Sequence, residues 1–313
     1  MMKNGLPLVS IVIPAYNWAR YIREAIDSVL QQSYRNIEFI VLDDGSTDQT
    51  REILATYALG TFYWETHANM GQASTLNKGW QIAKGDILGY LSADDILLPN
   101  AVSTSVNVLQ ANSDVVLTYC DFNLIDEYSK VIRRVCPARF NYNDMVAKGV
   151  CPPGPGAFFR RHAFEAAGPW DSSLRQMPDY DFWLRLGLFG RIQHIPQPLA
   201  SFRLHNESQT FRKTTESRAE EPIRIITNFF QRQALPPVIE QAKDEALSSA
   251  HIITTQLHLR AGRYRAAYAS ARRAFALFPR NFLRLRIIRA VINGLFYRIG
   301  YQTLWSIRRT LTR

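Results

Sequence analysis

Apolar and polar residues alternate along the first 120 positions in blocks that predict strands and helices in turn. Leu8 to Ile13 is a continuous apolar run of strand length, which Pro14 is expected to stop. From Ala19 to Gln32 the apolar residues Ile22, Ile26, Val29 and Leu30 recur at helical spacing. Ile37 to Leu42 reads as a second buried strand, followed by an Asp-Gly turn and a helix from Asp48 to Tyr57. The pattern continues with a strand at Thr61–Thr66, a helix at Gln72–Ala83, a strand at Ile87–Leu91, a helix at Pro99–Gln110 and a strand at Val115–Tyr119. Such alternation predicts an α/β fold with a mostly parallel, doubly wound sheet.

Beyond residue 121 the regularity weakens. Cys151-Pro152-Pro153-Gly154-Pro155-Gly156 lacks the N–H groups a helix needs and reads as a loop. The aromatic residues Phe158, Phe159, Phe164 and Trp170 follow it, and short strands are expected at Ile192–Ile195 and Leu199–Arg203. From Glu216 the pattern is helical. Ala250 to Phe278 resembles a tetratricopeptide-type helix pair ended by Pro279, and one such pair cannot bury its own face. The reading gives two domains, 1–212 and a helical extension 213–313.

Charge sharpens this division. The net charge is +10, yet 13 arginines and no Asp or Glu lie between Thr255 and Arg313. From Asn281 to Thr310 the apolar residues Ile288, Ile292, Leu295 and Ile299 fall at helical spacing, interleaved with Arg284, Arg286, Arg289, Arg298, Arg308 and Arg309. A basic amphipathic helix of this kind suits an anionic membrane surface, or it is a packing helix with a solvated basic side. No nucleic-acid-binding motif accompanies the charge, so nucleic acid is not expected as a partner. No segment reaches the ~20 apolar residues that span a bilayer, and the first residues carry no apolar run typical of a secretory leader. Three cysteines without metal-ligand spacing favour a reducing compartment. The expected location is cytoplasmic, with peripheral contact at the inner face of the cell membrane.

Three acidic clusters stand at the ends of these elements: Asp43-Asp44-Gly45-Ser46-Thr47-Asp48, Ser92-Ala93-Asp94-Asp95 and Asp179-Tyr180-Asp181. Adjacent carboxylates repel and are costly to bury unless a cation or partner compensates them. Open α/β sheets place ligands at such strand ends. The pattern implies metal-assisted handling of a nucleotide diphosphate.

The ordered motifs Val12-Ile13-Pro14-Ala15-Tyr16-Asn17, Asp43 to Asp48, Asn69-Met70-Gly71 with Asn77-Lys78-Gly79, Ala93-Asp94-Asp95, Asp179 to Arg185 and Phe202-Arg203-Leu204-His205 resemble glycosyltransferase family 2 over residues 6–210. The resemblance implies the GT-A fold and an inverting hexosyltransferase that uses a nucleotide-sugar donor, UDP-linked, and a glycan or lipid-linked acceptor in surface polysaccharide assembly. It assigns the nucleotide site to Pro14, Ala15, Tyr16, Asn17, Asp43, Asp44, Asn69, Gly71, Lys78 and Asp94. Either Asp43 or Asp44 would accept a hydrogen bond from the base. Asp94, Asp95 and His205 would hold Mg²⁺ or Mn²⁺ under the departing pyrophosphate. Asp179 would remove the acceptor proton in a single displacement.

Each assignment has a plainer counterpart. Asn17 and Asp179 can cap helices, Asp43 and Asp44 can shape a turn, and Asp94 and Asp95 can favour a helix start. His205 can be a surface residue. Ser92 stands where the family often has Asp, and Pro178 where it often has Glu. Two other functions share some of these features. A sugar-phosphate nucleotidyltransferase would need a Gly-rich basic loop after the first strand, where Pro14 to Asn17 stand instead. A non-catalytic scaffold would not need three acidic clusters. A dehydrogenase is disfavoured because no glycine fingerprint follows the first strand.

Overall fold

The computed structural model of the chain describes residues 5–137, 141–205 and 214–284. It divides into two compact units. One comprises 1–142, 151–173 and 178–208, and the other 143–150, 174–177 and 209–313. Two short segments from within the first 212 residues therefore group with the helical extension.

The first unit is built on β1 (Val9–Ala15), α1 (Ile22–Leu30), β2 (Ile37–Asp43), α2 (Thr50–Ala55), β3 (Tyr63–Thr66), α3 (Gln72–Ile82), β4 (Ile87–Tyr90), β5 (Ile96–Leu97), α4 (Ala101–Ala111), β6 (Val115–Ile125) and β7 (Val131–Val135). After α5 (Tyr142–Lys148), most of which belongs to the second unit, it continues with β8 (Phe158–Arg160), α6 (Arg161–Ala167), α7 (Pro178–Leu186) and β9 (Arg191–Arg203). The strands form one nine-stranded sheet in the order β3-β2-β1-β4-β8-β6-β9-β5, with β7 beside β6. β1 runs parallel to β2 and β4, β2 to β3, and β6 to β9, while β5, β7 and β8 are antiparallel to their neighbours. The mostly parallel sheet expected from the alternation is present.

Every residue of β1 is buried, as a central parallel strand covered on both faces requires. Ile22, Ala25, Ile26 and Val29 of α1 form its buried stripe. α3 lies close on β1, because a Cβ at Gly79 would run into the Val12 side chain.

Pro14 does not stop the first strand. β1 continues to Ala15 and pairs there with Asp43. The pairing of β1 with β4 ends at Val12–Tyr90, and Leu91 N–H donates to the Val12 carbonyl. The N–H that Pro14 lacks would face this unpaired side, so nothing is lost. The two short strands expected near Pro196 and Pro198 are one strand, β9, whose register against β6 shifts between Cys120 and Phe122 to absorb the prolines. β6 runs to Ile125, six residues beyond the expected end, because it carries β7 and β9 on its two edges. α7 starts at Pro178, so Asp179 and Asp181 lie in its first turn.

The second unit contains α8 (Glu216–Ala219), α9 (Glu221–Phe230), α10 (Pro237–Glu240), α11 (Lys243–Arg260), α12 (Tyr264–Leu277) and a 3-10 helix at Pro279–Leu283. α11 and α12 are the expected helix pair, turned at Gly262 with φ +78°. His258 is fully buried beside that turn; its Nδ1 accepts from Arg263 Nε at 2.9 Å and its Nε2 lies 3.0 Å from Glu220 Oε1. The Glu221 carboxylate accepts from the N–H groups of Arg175 at 2.8 Å and Gln176 at 2.6 Å, which fixes the 174–177 segment. From residue 285 the basic tail lies outside the described residues. Among the described residues no helix is long and apolar enough to cross a membrane.

Candidate active site

Of the expected nucleotide residues, Pro14, Ala15, Tyr16, Asn17, Asp43 and Asp44 lie at the C-terminal ends of β1 and β2, while Asn69 and Gly71 follow β3, Lys78 lies in α3 and Asp94 follows β4. Asn17 takes φ +59°, a left-handed conformation that Asn tolerates better than most residues. Its Oδ1 accepts from Thr47 N–H at 2.7 Å, and its own N–H donates to Ser46 Oγ at 2.9 Å. Ala19 N–H donates to Asp48 Oδ2 at 2.9 Å. These bonds lock the loop after β1 to the loop after β2. Burial raises the Asp48 pKa, but hydrogen bonds from Thr50 and from the Ala19 N–H outweigh it and leave the value lowered.

Asp43 and Asp44 are both buried, at 0 % and 3 % exposure. Asp43 accepts from Ser46 N–H at 3.2 Å and from Thr66 Oγ1 at 2.5 Å. Asp44 accepts at one oxygen from Met70 N–H, 2.7 Å, and at the other from Gly71 N–H, 2.9 Å. Asn69 Nδ2 donates to the Asp44 carbonyl at 2.9 Å. The Asp-Asp pair thus ties the loop after β2 to the end of β3 and the loop that follows it, and the motif residues Asn69 and Gly71 act here through Asp44. Gly45, at φ +77°, allows the approach, since a Cβ there would lie 2.9 Å from Asn69 N. Lys78 pairs with Glu65 at 2.5 Å.

The second cluster meets the end of β9. Asp94 Oδ2 lies 2.9 Å from His205 Nε2, and His205 is boxed by the rings of Trp18 at 5.1 Å and Tyr21 at 5.3 Å. Asp95 points elsewhere, its Oδ1 accepting from the Arg203 N–H at 2.9 Å. Burial, then the neighbouring Asp94, push the Asp95 carboxyl well above the usual range, against the pull of Arg203. A cation beside this pair would relieve that penalty. The donor set fits a divalent ion: one carboxylate and one imidazole, with phosphate oxygens to complete the shell. Among the described residues no group of three or more His, Cys, Asp or Glu side chains is placed to hold a metal, so phosphate would have to contribute.

The third cluster separates into two roles. Arg185 Nε and Nη2 both donate to Asp181 Oδ2, at 2.9 and 2.7 Å, and the guanidinium also binds the carbonyls of Ala167, Gly168 and Pro169. Asp181 is structural. Asp179 is half-buried and accepts from Tyr180 N–H at 2.9 Å. Burial raises its pKa, and its helix-turn N–H groups only partly oppose the rise. A carboxylate with weakened acidity and spare lone pairs is suited to take a proton.

Tyr90 was not singled out by the sequence. It ends β4, and its ring stands edge-on to Trp170 at 5.3 Å and Trp80 at 6.1 Å. Burial, Asp179, Cys151 and Asp95 in that order raise its pKa far above the usual phenol, so it is a neutral donor. Trp170 is itself fixed by Asn77, which exchanges two hydrogen bonds with its backbone at 2.8 and 2.9 Å. Arg203 stands in the Phe202–His205 motif, which assigns it no role of its own. It is 1 % exposed, donates from Nε to the Asp94 carbonyl at 2.8 Å, and lies over the Tyr21 ring at 4.6 Å. The sequence signal for both was position: one residue stands two before the Ser92 turn, the other two before His205.

A sequence model described as glycosyl transferase family 2 matches residues 10–168. An uncharacterized glycosyltransferase of Rickettsia typhi is 34 % identical over 236 residues, covering 72 % of each chain. The structure of S. aureus TarS 1–349 in complex with UDP-GlcNAc superposes with a TM-score of 0.65 at 15 % identity, over 94 % of this chain and 92 % of that one. The mannosyltransferase PcManGT from Pyrobaculum calidifontis, in complex with GDP-Man and Mn²⁺, gives 0.62 at 18 % identity, over 97 % and 88 %. The sheet is of GT-A type, and the chain belongs to glycosyltransferase family 2.

Proposed function

We propose that this enzyme moves a sugar, with inversion, from a UDP-sugar to a glycan or lipid-linked acceptor in surface polysaccharide assembly at the inner face of the cell membrane. The observation that carries the reading is the Asp94–His205 pair, 2.9 Å apart, beside the Trp18 and Tyr21 rings of the loop that follows β1. The loops locked by Asn17, Asp43 and Asp44 would form the nucleoside pocket, and either Asp retains lone pairs for a base N–H. The likeness to a structure that binds UDP-GlcNAc supports a UDP-linked donor.

Asp94 and His205 would hold a divalent cation together with the phosphates; when bound, the ion supplies positive charge against the departing diphosphate. Asp179 would take the proton of the acceptor hydroxyl as that oxygen attacks the anomeric carbon. The hydroxyl oxygen forms the new glycosidic bond, the bond to the diphosphate breaks, and UDP leaves with its electron pair. Tyr90 would donate a hydrogen bond to a hydroxyl of the transferred sugar. Trp170 would hold the Tyr90 ring in place.

The test is UDP release from a panel of UDP-sugars with Mn²⁺ and a mixture of oligosaccharide acceptors. Turnover with at least one donor, reduced about 10²–10⁴-fold by Asp179→Asn, is the expected result. Turnover that survives Asp179→Asn removes the base, and turnover only with other nucleotides removes the UDP assignment.

A further inference from the structure

α12 presents a face that nothing in the transfer reaction uses. Tyr264, Tyr268 and Phe275 are exposed at 61 %, 71 % and 56 %. At 3.6 residues per turn they fall within about 40° of one another, one row along the helix. Arg265 and Arg272 are exposed on the adjoining arc, within about 100° of Tyr264. The opposite arc, Ala267, Ser270 and Ala274, is buried. α12 holds no acidic residue, and among the described residues neither guanidinium has an ion-pair partner.

We propose that this face docks on an anionic lipid surface, with phosphate headgroups against Arg265 and Arg272 and the aromatic row set at the boundary of the acyl region. Charge complementarity selects the occupant. Arginine forks match phosphate oxygens, and Arg265 and Arg272 both stand free of carboxylates beside the aromatic row. A second copy of the chain would bring like charges together, which opposes self-association through this face. Tyrosine with its polar tip suits the interface between headgroups and acyl chains. Nucleic acid would also meet the arginines, but it would leave Phe275 without a partner. The inference stands apart from the donor and acceptor assignments.

The experiment is flotation of the full chain with phosphatidylcholine vesicles, with and without phosphatidylglycerol. The expected result is binding only to the anionic vesicles, weakened by salt. Combined replacement of Arg265 and Arg272 by Ala should lower the partition coefficient about thirtyfold, on the scale of one charged contact per arginine. Combined replacement of Tyr264, Tyr268 and Phe275 by Ser should lower it about tenfold or more. Helix content by circular dichroism verifies folding. If a combined variant fails to fold, the single changes Arg272→Glu and Tyr268→Ser decide the matter by the same readout. Unchanged partition in these variants, equal binding to neutral vesicles, or binding to nucleic acid without binding to vesicles overturns the proposal.

Discussion

The backbone N–H of Arg203 donates to Asp95 at 2.9 Å, which ties the last strand of the sheet to the turn that carries Asp94. The same arginine reaches Glu24 at 2.5 Å and Ser129 Oγ at 2.8 Å, so one buried side chain joins α1, the β6–β7 turn and the acidic turn.

Removing that side chain should loosen all three at once. Arg203→Ala is expected to cost roughly 2–4 kcal/mol, below the full value of a broken buried ion pair because Glu24 is well exposed to solvent. Urea unfolding measures it. A loss under about 1 kcal/mol would place the arginine among ordinary surface contacts.

Asp179 links function to a stability cost. Its raised pKa means that the folded state binds the proton more tightly than the unfolded chain. The stabilisation is complete below the unfolded value, about 3.9, and is lost as pH rises through the raised folded value. At neutral pH the ionised carboxylate therefore opposes folding. Asp179→Asn keeps an oxygen for the Tyr180 N–H, so it should melt higher than the unchanged protein at pH 7, with the gain vanishing in acid. A lower melting point at pH 7 would mean that Asp179 holds the fold together.

Tyr90→Phe separates packing from substrate contact. The ring keeps its place against Trp170 and Trp80, so stability should change by no more than about 0.5 kcal/mol. Affinity for the donor UDP-sugar should fall about tenfold, the scale of one hydrogen bond, while affinity for UDP stays the same. Equal loss for both ligands would put the phenol at the nucleotide.

The central parallel strands were legible because each is a continuous apolar run between turn residues. β1, β2 and β4 needed only their own sequences. β8 and β5 have three and two residues, too few for any period to show. β7 exposes Val131, Ile132 and both arginines, so its pairing with β6 leaves no hydrophobic signal. In the site, the motif order singles out Asp43 or Asp44, Asp94, Asp95, Asp179 and His205 as candidates, but side-chain direction is not readable from it. Lys78 turns to Glu65, and Asp95 turns to a backbone N–H, because partners distant in sequence set their orientation. Nothing in the sequence around Tyr90 marks the Trp80 and Trp170 rings that stand against it, and Trp170 lies 80 residues away.

Asp94 and His205 are the two side chains expected to join a cation beneath the diphosphate, and calorimetric titration of UDP with and without Mn²⁺ tests this most directly. The unchanged protein should bind UDP at least about tenfold more tightly with Mn²⁺, and both Asp94→Ala and His205→Ala should abolish that difference. UDP affinity that is the same with and without Mn²⁺, or a Mn²⁺ gain that survives both substitutions, would contradict the account.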